Sequence, residues 1–256
     1  MRVGILTYHA AHNYGAVLQA YALQTELQCM GHEPSFIHYY PDTLEAKNHY
    51  RRPIRSTQDL ARAAAYKLFR GALNRRFERF NRFRDERLRI TRRFRSFEDL
   101  AAEPPEFDTY ICGSDQIWNF SQGASPVYFL RFLEATKPAV AYAPSFGSSF
   151  GKEDVPAELS AWINRFQYLS AREASGGKLI EELTGRPVPQ VMDPAFLLTA
   201  DEWAEVASTP TFGRPYILFY ALEINPFSEA VIGSLATRLG LPIVVAGKGG
   251  YTIFRR

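Results

Sequence analysis

The stretch FDTYICGSDQIWN, residues 107–119, decides the fold class because its character changes halfway along. Phe107 to Cys112 is mainly apolar without polar alternation, the pattern of a strand buried on both faces, as in a parallel sheet. Gly113 to Asn119 is a polar loop. The N-terminus repeats the arrangement, with RVGILTY (2–8) followed by HAAHNYG (9–15). Ala16, Val17, Leu18, Ala20, Tyr21, Leu23 and Leu27 then recur at helical spacing up to Gly31, and Ser35 to Tyr40 closes a β-α-β unit.

Further strand-like runs fall at 139–143, 168–171 and 188–192, with helical patterns at 156–166 and 173–184 between them. This alternation predicts an α/β fold, a doubly wound parallel sheet spanning residues 1–198. Residues 199–214 read as a connection around a short helix. Over 215–256 a strand (216–222), a helix starting near Asn225 (226–239) and a strand (242–246) form one more β-α-β unit. One unit of that size buries too little apolar surface to stand alone. It either completes the first sheet or, as we favour, begins a second domain of a longer protein.

With 256 residues, 46% of them hydrophobic, and a formal charge of +3, the chain has the composition of a folded globular protein, which excludes disorder. Cys29 and Cys112 lie in apolar surroundings without pairing or metal-ligand spacing, as expected of two structural thiols in a reducing compartment. Neither a signal peptide nor a membrane span is expected, and the predicted location is cytoplasmic.

The small net charge hides an asymmetry. Residues 51–95 hold 15 Arg and one Lys against four acids, a net +12, and the remainder of the chain nets −9. Phe69, Leu73, Phe77 and Phe80, spaced four, four and three, predict a long amphipathic helix or helical pair over 57–95, within an Arg-rich helical insertion at about 51–100. Such a surface attracts phosphates, anionic glycans or anionic lipid headgroups, or it is equally a solvated helix face. Nucleic acid is not an expected partner, because the aromatics fall on the apolar side of the helix.

Ligands of open parallel sheets bind at the carboxyl ends of the strands, so the post-strand loops are the candidate sites. In the first, Asn13 is placed to cap the following helix and Gly15 to let backbone approach a ligand; His9 and His12 are packing or surface histidines as readily as functional ones. The loop Gly113, Ser114, Asp115, Gln116, Ile117, Trp118, Asn119 suits sugar recognition, with Asp115 as general base and Trp118 as a face for a pyranose ring. The same residues equally make an Asx-stabilised turn with Trp118 in the core. Ser145 to Ser149 approaches a phosphate or merely turns the chain. Arg172 clamps a carboxylate or phosphate, or pairs with Glu173. AGKGG (246–250) lacks the spacing of a phosphate loop. The sequence shows no CxxC or HExxH, so no metal site is expected.

NYGAVLQAYALQ (13–24), FDTYICGSDQIWN (107–119), AYAPSFG (141–147), LSAREASG (169–176) and VMDP (191–194) together resemble the bacterial polysaccharide pyruvyl transferases, along nearly the whole chain. The resemblance implies a GT-B-like architecture in which 215–256 begins a second Rossmann-like domain. It also implies transfer of a pyruvyl group from phosphoenolpyruvate, a donor substrate rather than a cofactor, to a sugar. The acceptor would be a cell-surface glycan or its lipid-linked precursor, and the product a ketal. Exopolysaccharide biosynthesis for the cell envelope would then take place in the cytoplasm, with residues 51–95 facing the inner side of an anionic membrane. By the same resemblance Asp115 is catalytic, and Asn13, Gly15, Gly113, Ser114, Gln116, Trp118, Asn119, Arg172 and Asp193 bind acceptor or substrate.

The family's rear domain carries a Ser-x-Arg-x-His segment that has no counterpart here, since all five histidines lie in the first fifth of the sequence. The chain is therefore expected to be truncated and catalytically incomplete. Two rival readings are a sugar-nucleotide-dependent glycosyltransferase of similar fold and a non-catalytic glycan-binding remnant.

Overall fold

The computed structural model describes residues 1–48, 71, 74–122, 125–147, 150–209, 212–221, 224–247 and 250–254. Phe69, Leu73, Ser148, Ser149, Lys248, Gly249 and the arginines of 51–70 lie outside them. The chain divides into two compact units, Met1–Arg52 with Phe80–Glu202, and Pro53–Arg79 with Trp203–Arg256.

The first unit is built on a six-stranded sheet of β1 (Arg2–Leu6), β2 (Glu33–Tyr39), β3 (Ile90–Phe94), β4 (Thr109–Cys112), β5 (Ala139–Ala141) and β6 (Tyr168–Leu169). The strand order is β3-β2-β1-β4-β5-β6 and every pairing is parallel. β1 is central, with Val3 opposite both Pro34 and Thr109, and Val3, Ile5 and Leu6 are buried without alternation. A strand between two parallel neighbours is covered on both faces, which explains the unbroken apolar run.

One face carries α1 (Tyr14–Cys29): Leu23 and Ile5 both crowd Gly113, where a Cβ would lie 3.3 Å from Leu23 and 3.6 Å from Ile5. The other face carries the main core, in which Leu6, Ile37 and Cys112 meet Trp118, Phe129, Phe146 and Phe166, together with Ile163 of α5 (Leu159–Asn164) and Ile180 of α6 (Ala174–Thr184). The winding on both faces agrees with the sequence reading. Cys112 is a core thiol whose Sγ donates to the Tyr128 carbonyl at 2.7 Å, but Cys29 is exposed, contrary to expectation.

The Arg-rich segment departs from a purely helical insertion. Residues 74–87 are helical (α3), with Phe77 and Phe80 buried, and the chain then turns into β3, the edge strand of the sheet. Buried Gln24 fixes this changeover, its Nε2 donating to the Arg87 carbonyl and its Oε1 accepting from Arg89 N, both at 2.8 Å. The arginines of β3 masked its strand character. Arg92 pairs with Asp99 and Glu103, Arg93 with Asp42 and Glu45, and Arg95 with Asp42, at 2.6–3.0 Å. Asp42 and Glu45 belong to α2 (Asp42–Asn48), and Asp99 to α4 (Phe97–Ala102). Residues 188–192 join the sheet only through the bridge Ala171↔Gln190 and form no full strand.

After α7 (Ala200–Ala204), the second unit contains β7 (Ile217–Tyr220), α8 (Pro226–Leu239) and β8 (Ile243–Gly247). β7 and β8 pair in parallel, and Asn225 caps α8 by accepting from Ser228 N at 2.8 Å. β9 (Gly250–Phe254) then runs antiparallel to β8, with Gly247 opposite Gly250. AGKGG thus connects a hairpin, whereas a phosphate loop leads from strand to helix.

Candidate functional site

The strand order reverses between β1 and β4, and in open parallel sheets the crevice outside the carboxyl ends at that point is where ligands bind. The loops after β1 and β4 flank it, and those after β5 and β6 lie along the same edge. Hydrogen bonds join these loops. Thr7 Oγ1 donates to the Ser114 carbonyl at 2.6 Å and accepts from Gln19 Nε2 at 3.1 Å. Ser114 Oγ donates to Asp193 Oδ2 at 3.1 Å, and Arg172 Nη1 donates to the same oxygen at 3.0 Å. Asp193 Oδ1 accepts from Ala195 N at 3.0 Å, starting the 3₁₀ turn Pro194–Phe196.

Asp115 lies in the loop after β4 in the left-handed backbone region, φ 78°. A non-glycine residue held there signals a local constraint. Its carbonyl accepts from Ser145 N at 2.9 Å and its Oδ1 from Gln116 N at 2.7 Å. Burial raises the Asp115 pKa above the usual carboxylate value; the Gln116 N–H and Arg172 oppose this, and Asp193 adds to it. A carboxyl with its proton affinity raised in this way is a stronger base than an ordinary surface carboxylate.

Arg172 also donates from Nε to Glu173 Oε1 at 2.9 Å. Burial works against its charge, but Glu173 and then Asp193 outweigh that and raise its pKa. Both uses expected of Arg172 are thus compatible: the pairing with Glu173 is present, and Nη2 makes no bond among the described residues. A cavity of about 560 Å³ beside it is lined by Arg172, Gln190, Val191, Met192, Asp193 and Phe196.

The other candidates divide. Asn13 is the N-cap of α1, its Oδ1 accepting from Ala16 N at 3.3 Å, and Gly15 is exposed in the first turn. Gly113 is a packing glycine under Leu23 and Thr7. Gln116 and Asn119 bond to each other, Nδ2 to Oε1 at 3.0 Å, and enclose Gly147, whose φ of 78° and lack of a side chain let the 145–147 loop pass. Trp118 is the clear correction. It is 0% exposed, stacks on Phe129 at 4.8 Å and donates from Nε1 to the Tyr128 carbonyl at 3.1 Å, so it offers no face to a sugar.

Several residues escaped the sequence reading. Tyr8, two residues after β1, has its pKa pushed up to about 12 by burial, then Asp115 and Tyr39. Tyr142, after β5, is raised by burial, then Asp193 and Glu26. Both were hidden inside apolar strand runs. His9 and His38 form a buried pair, Nε2 to Nδ1 at 2.9 Å, with His9 Nδ1 facing the Thr7 carbonyl at 3.1 Å. Since a carbonyl only accepts, His9 carries its proton on Nδ1 and His38 donates to His9. Among the described residues no cluster of three or more His, Cys, Asp or Glu is placed to hold a metal, and no helix is long and apolar enough to cross a membrane.

Among solved structures, the chain is similar to the heptosyltransferase WaaC of E. coli with ADP, at 14% identity and a TM-score of 0.39, over 96% of this chain and 67% of that one. No curated protein matches the sequence. The family model for polysaccharide pyruvyl transferase matches residues 13–250, which contain the loops after β4, β5 and β6, and the chain belongs to that family.

Proposed function

We propose that the protein moves a pyruvyl group from phosphoenolpyruvate to two hydroxyls of a glycan, or of its lipid-linked precursor, forming a cyclic ketal. The single observation that carries the reading is Asp115, a buried carboxyl with a raised pKa at the crevice between β1 and β4. In the reaction one sugar hydroxyl adds to the enol carbon as the methylene takes up a proton and becomes methyl. The second hydroxyl displaces phosphate, which leaves with the remaining proton. A positioned base assists the hydroxyl and a cation holds the anionic donor. Asp115 serves as the base through Oδ2, since Oδ1 is held by Gln116 N. Arg172 holds a donor oxygen through Nη2. The carbon undergoing attack needs no resident cofactor.

Replacing Asp115 by Asn keeps size and shape while removing the base. Phosphate release from phosphoenolpyruvate in the presence of an acceptor glycan should fall by about 10²-fold or more. A rate within a few-fold of wild type contradicts the assignment.

We further propose that the acceptor is met at an anionic membrane surface on the cytoplasmic side. Support comes from Arg82, Arg87 and Arg89, which are exposed and make no ion pair among the described residues, unlike the paired arginines of β3.

A further inference from the structure

Three phenols, Tyr8, Tyr39 and Tyr128, pack together, two of them, Tyr8 and Tyr128, within reach of the Asp115 charge, and they are not equivalent. Tyr128 is 4% exposed, and the Tyr8 ring packs edge-on against it at 4.9 Å and the Tyr39 ring at 6.0 Å. Tyr39 shares a side-chain hydrogen bond with Ser125. Tyr8 is half-buried, its ring anchored on the core, and among the described residues no group bonds to its hydroxyl. It stands two residues beyond β1, on the β4 side of which the Asp115 loop begins.

The charges around Asp115 select what can be met there. Three carboxylates, Asp115, Asp193 and Glu173, surround one guanidinium, Arg172, and two of the three are already paired with it. A second anion near Asp115 is repelled, but a neutral hydroxyl is not. Asp115 Oδ2 is a pure acceptor while ionised, and a phenol beside a carboxylate stays protonated and donates. Thr7 Oγ1 bonds the Ser114 carbonyl at 2.6 Å, so Tyr8 and Asp115 each follow a residue of that bond, and a donor and an acceptor on these two loops match two hydroxyls of one sugar ring, one giving its proton and the other receiving a hydrogen bond on its oxygen.

We infer that Tyr8 is the specificity-determining partner of Asp115, its hydroxyl donating to the neutral sugar hydroxyl next to the one Asp115 deprotonates. This rests on the transferase reading above and adds to it which groups read the diol. Tyr8 is not a base. It fixes which of the acceptor's hydroxyls lies against Oδ2, and the anionic donor stays on the Arg172 side.

The test uses the full chain with a panel of methyl hexopyranosides and their monodeoxy analogues, binding followed by saturation-transfer NMR and titration. Wild type should bind at least one glycoside, and Tyr8→Phe, which keeps the ring on Tyr128, should weaken it about 3- to 10-fold, the worth of one neutral hydrogen bond. Removing one particular sugar hydroxyl should cost wild type the same factor and cost Tyr8→Phe nothing more. Melting temperature and phosphoenolpyruvate affinity should be unchanged. If Tyr8→Phe binds as wild type does, if the two losses multiply, if no single deoxy position matters to wild type, or if the variant instead loses phosphoenolpyruvate, Tyr8 does not read the acceptor and the transferase reading survives. If wild type binds no glycoside, both fall.

Discussion

Ser114 and Asp193, 79 residues apart in sequence, share a hydrogen bond of 3.1 Å that ties the loop after β4 to the segment following β6. The carboxylate receiving it also holds Arg172 and caps the turn at Pro194, and that turn packs against α1. One side chain thus sets the guanidinium, the β4 loop and a helix contact together.

Asp193→Asn should therefore cost more than a surface substitution. It weakens three bonds at a site where both partners of the ion pair are about one-fifth to one-quarter exposed. We expect a loss of about 1–3 kcal/mol in denaturant unfolding, and about 1 kcal/mol for Ser114→Ala. The double variant should lose less than the sum, because the two share one bond. Strict additivity would show that Ser114 and Asp193 act separately.

The His9–His38 pair makes stability depend on pH. Burial, then His38, lowers the His9 pKa from 6.5 to about 3, and burial, then Arg84 and Arg93, lowers that of His38 to about 4. The unfolded chain binds these protons below pH 6.5 while the folded chain refuses them, so stability is full above that value and declines as pH falls toward 3. The loss should reach the order of a few kcal/mol by pH 4 in denaturant titrations at stepped pH. His38→Gln should flatten that slope; an unchanged slope would place the acid sensitivity elsewhere.

Arg82, Arg87 and Arg89, without an ion pair among the described residues, give a third expectation. Vesicles containing anionic lipid should retain the protein at low salt and release it as salt rises, and neutral vesicles should not retain it. Combined Arg82→Ser, Arg87→Ser and Arg89→Ser should reduce retention several-fold. Unchanged retention would assign these arginines to solvent alone.

The sequence made the parallel sheet readable because strands such as Val3–Leu6 and Tyr110–Cys112 are apolar on both faces, and the polar loops after them had to lie on one edge. Asn13 as a cap followed from local chemistry. Trp118 did not: an indole among polar residues fits a sugar platform or a core equally, and only the Phe129 and Phe166 rings around it decide. β3 was hidden because its arginines look like a helix's charged face until Asp42, Glu45 and Asp99 are seen opposite. Tyr8 was read as strand, and the contact of His9 with His38 arises only from the pairing of β1 with β2.

The most direct measurement is the mass of a glycan acceptor after incubation with the full chain and phosphoenolpyruvate. The account predicts a gain of one pyruvate less one water, with one phosphate released, and neither change with Asp115→Asn. A glycan unchanged in mass with phosphoenolpyruvate, yet lengthened by one sugar when a sugar nucleotide is supplied, would contradict it.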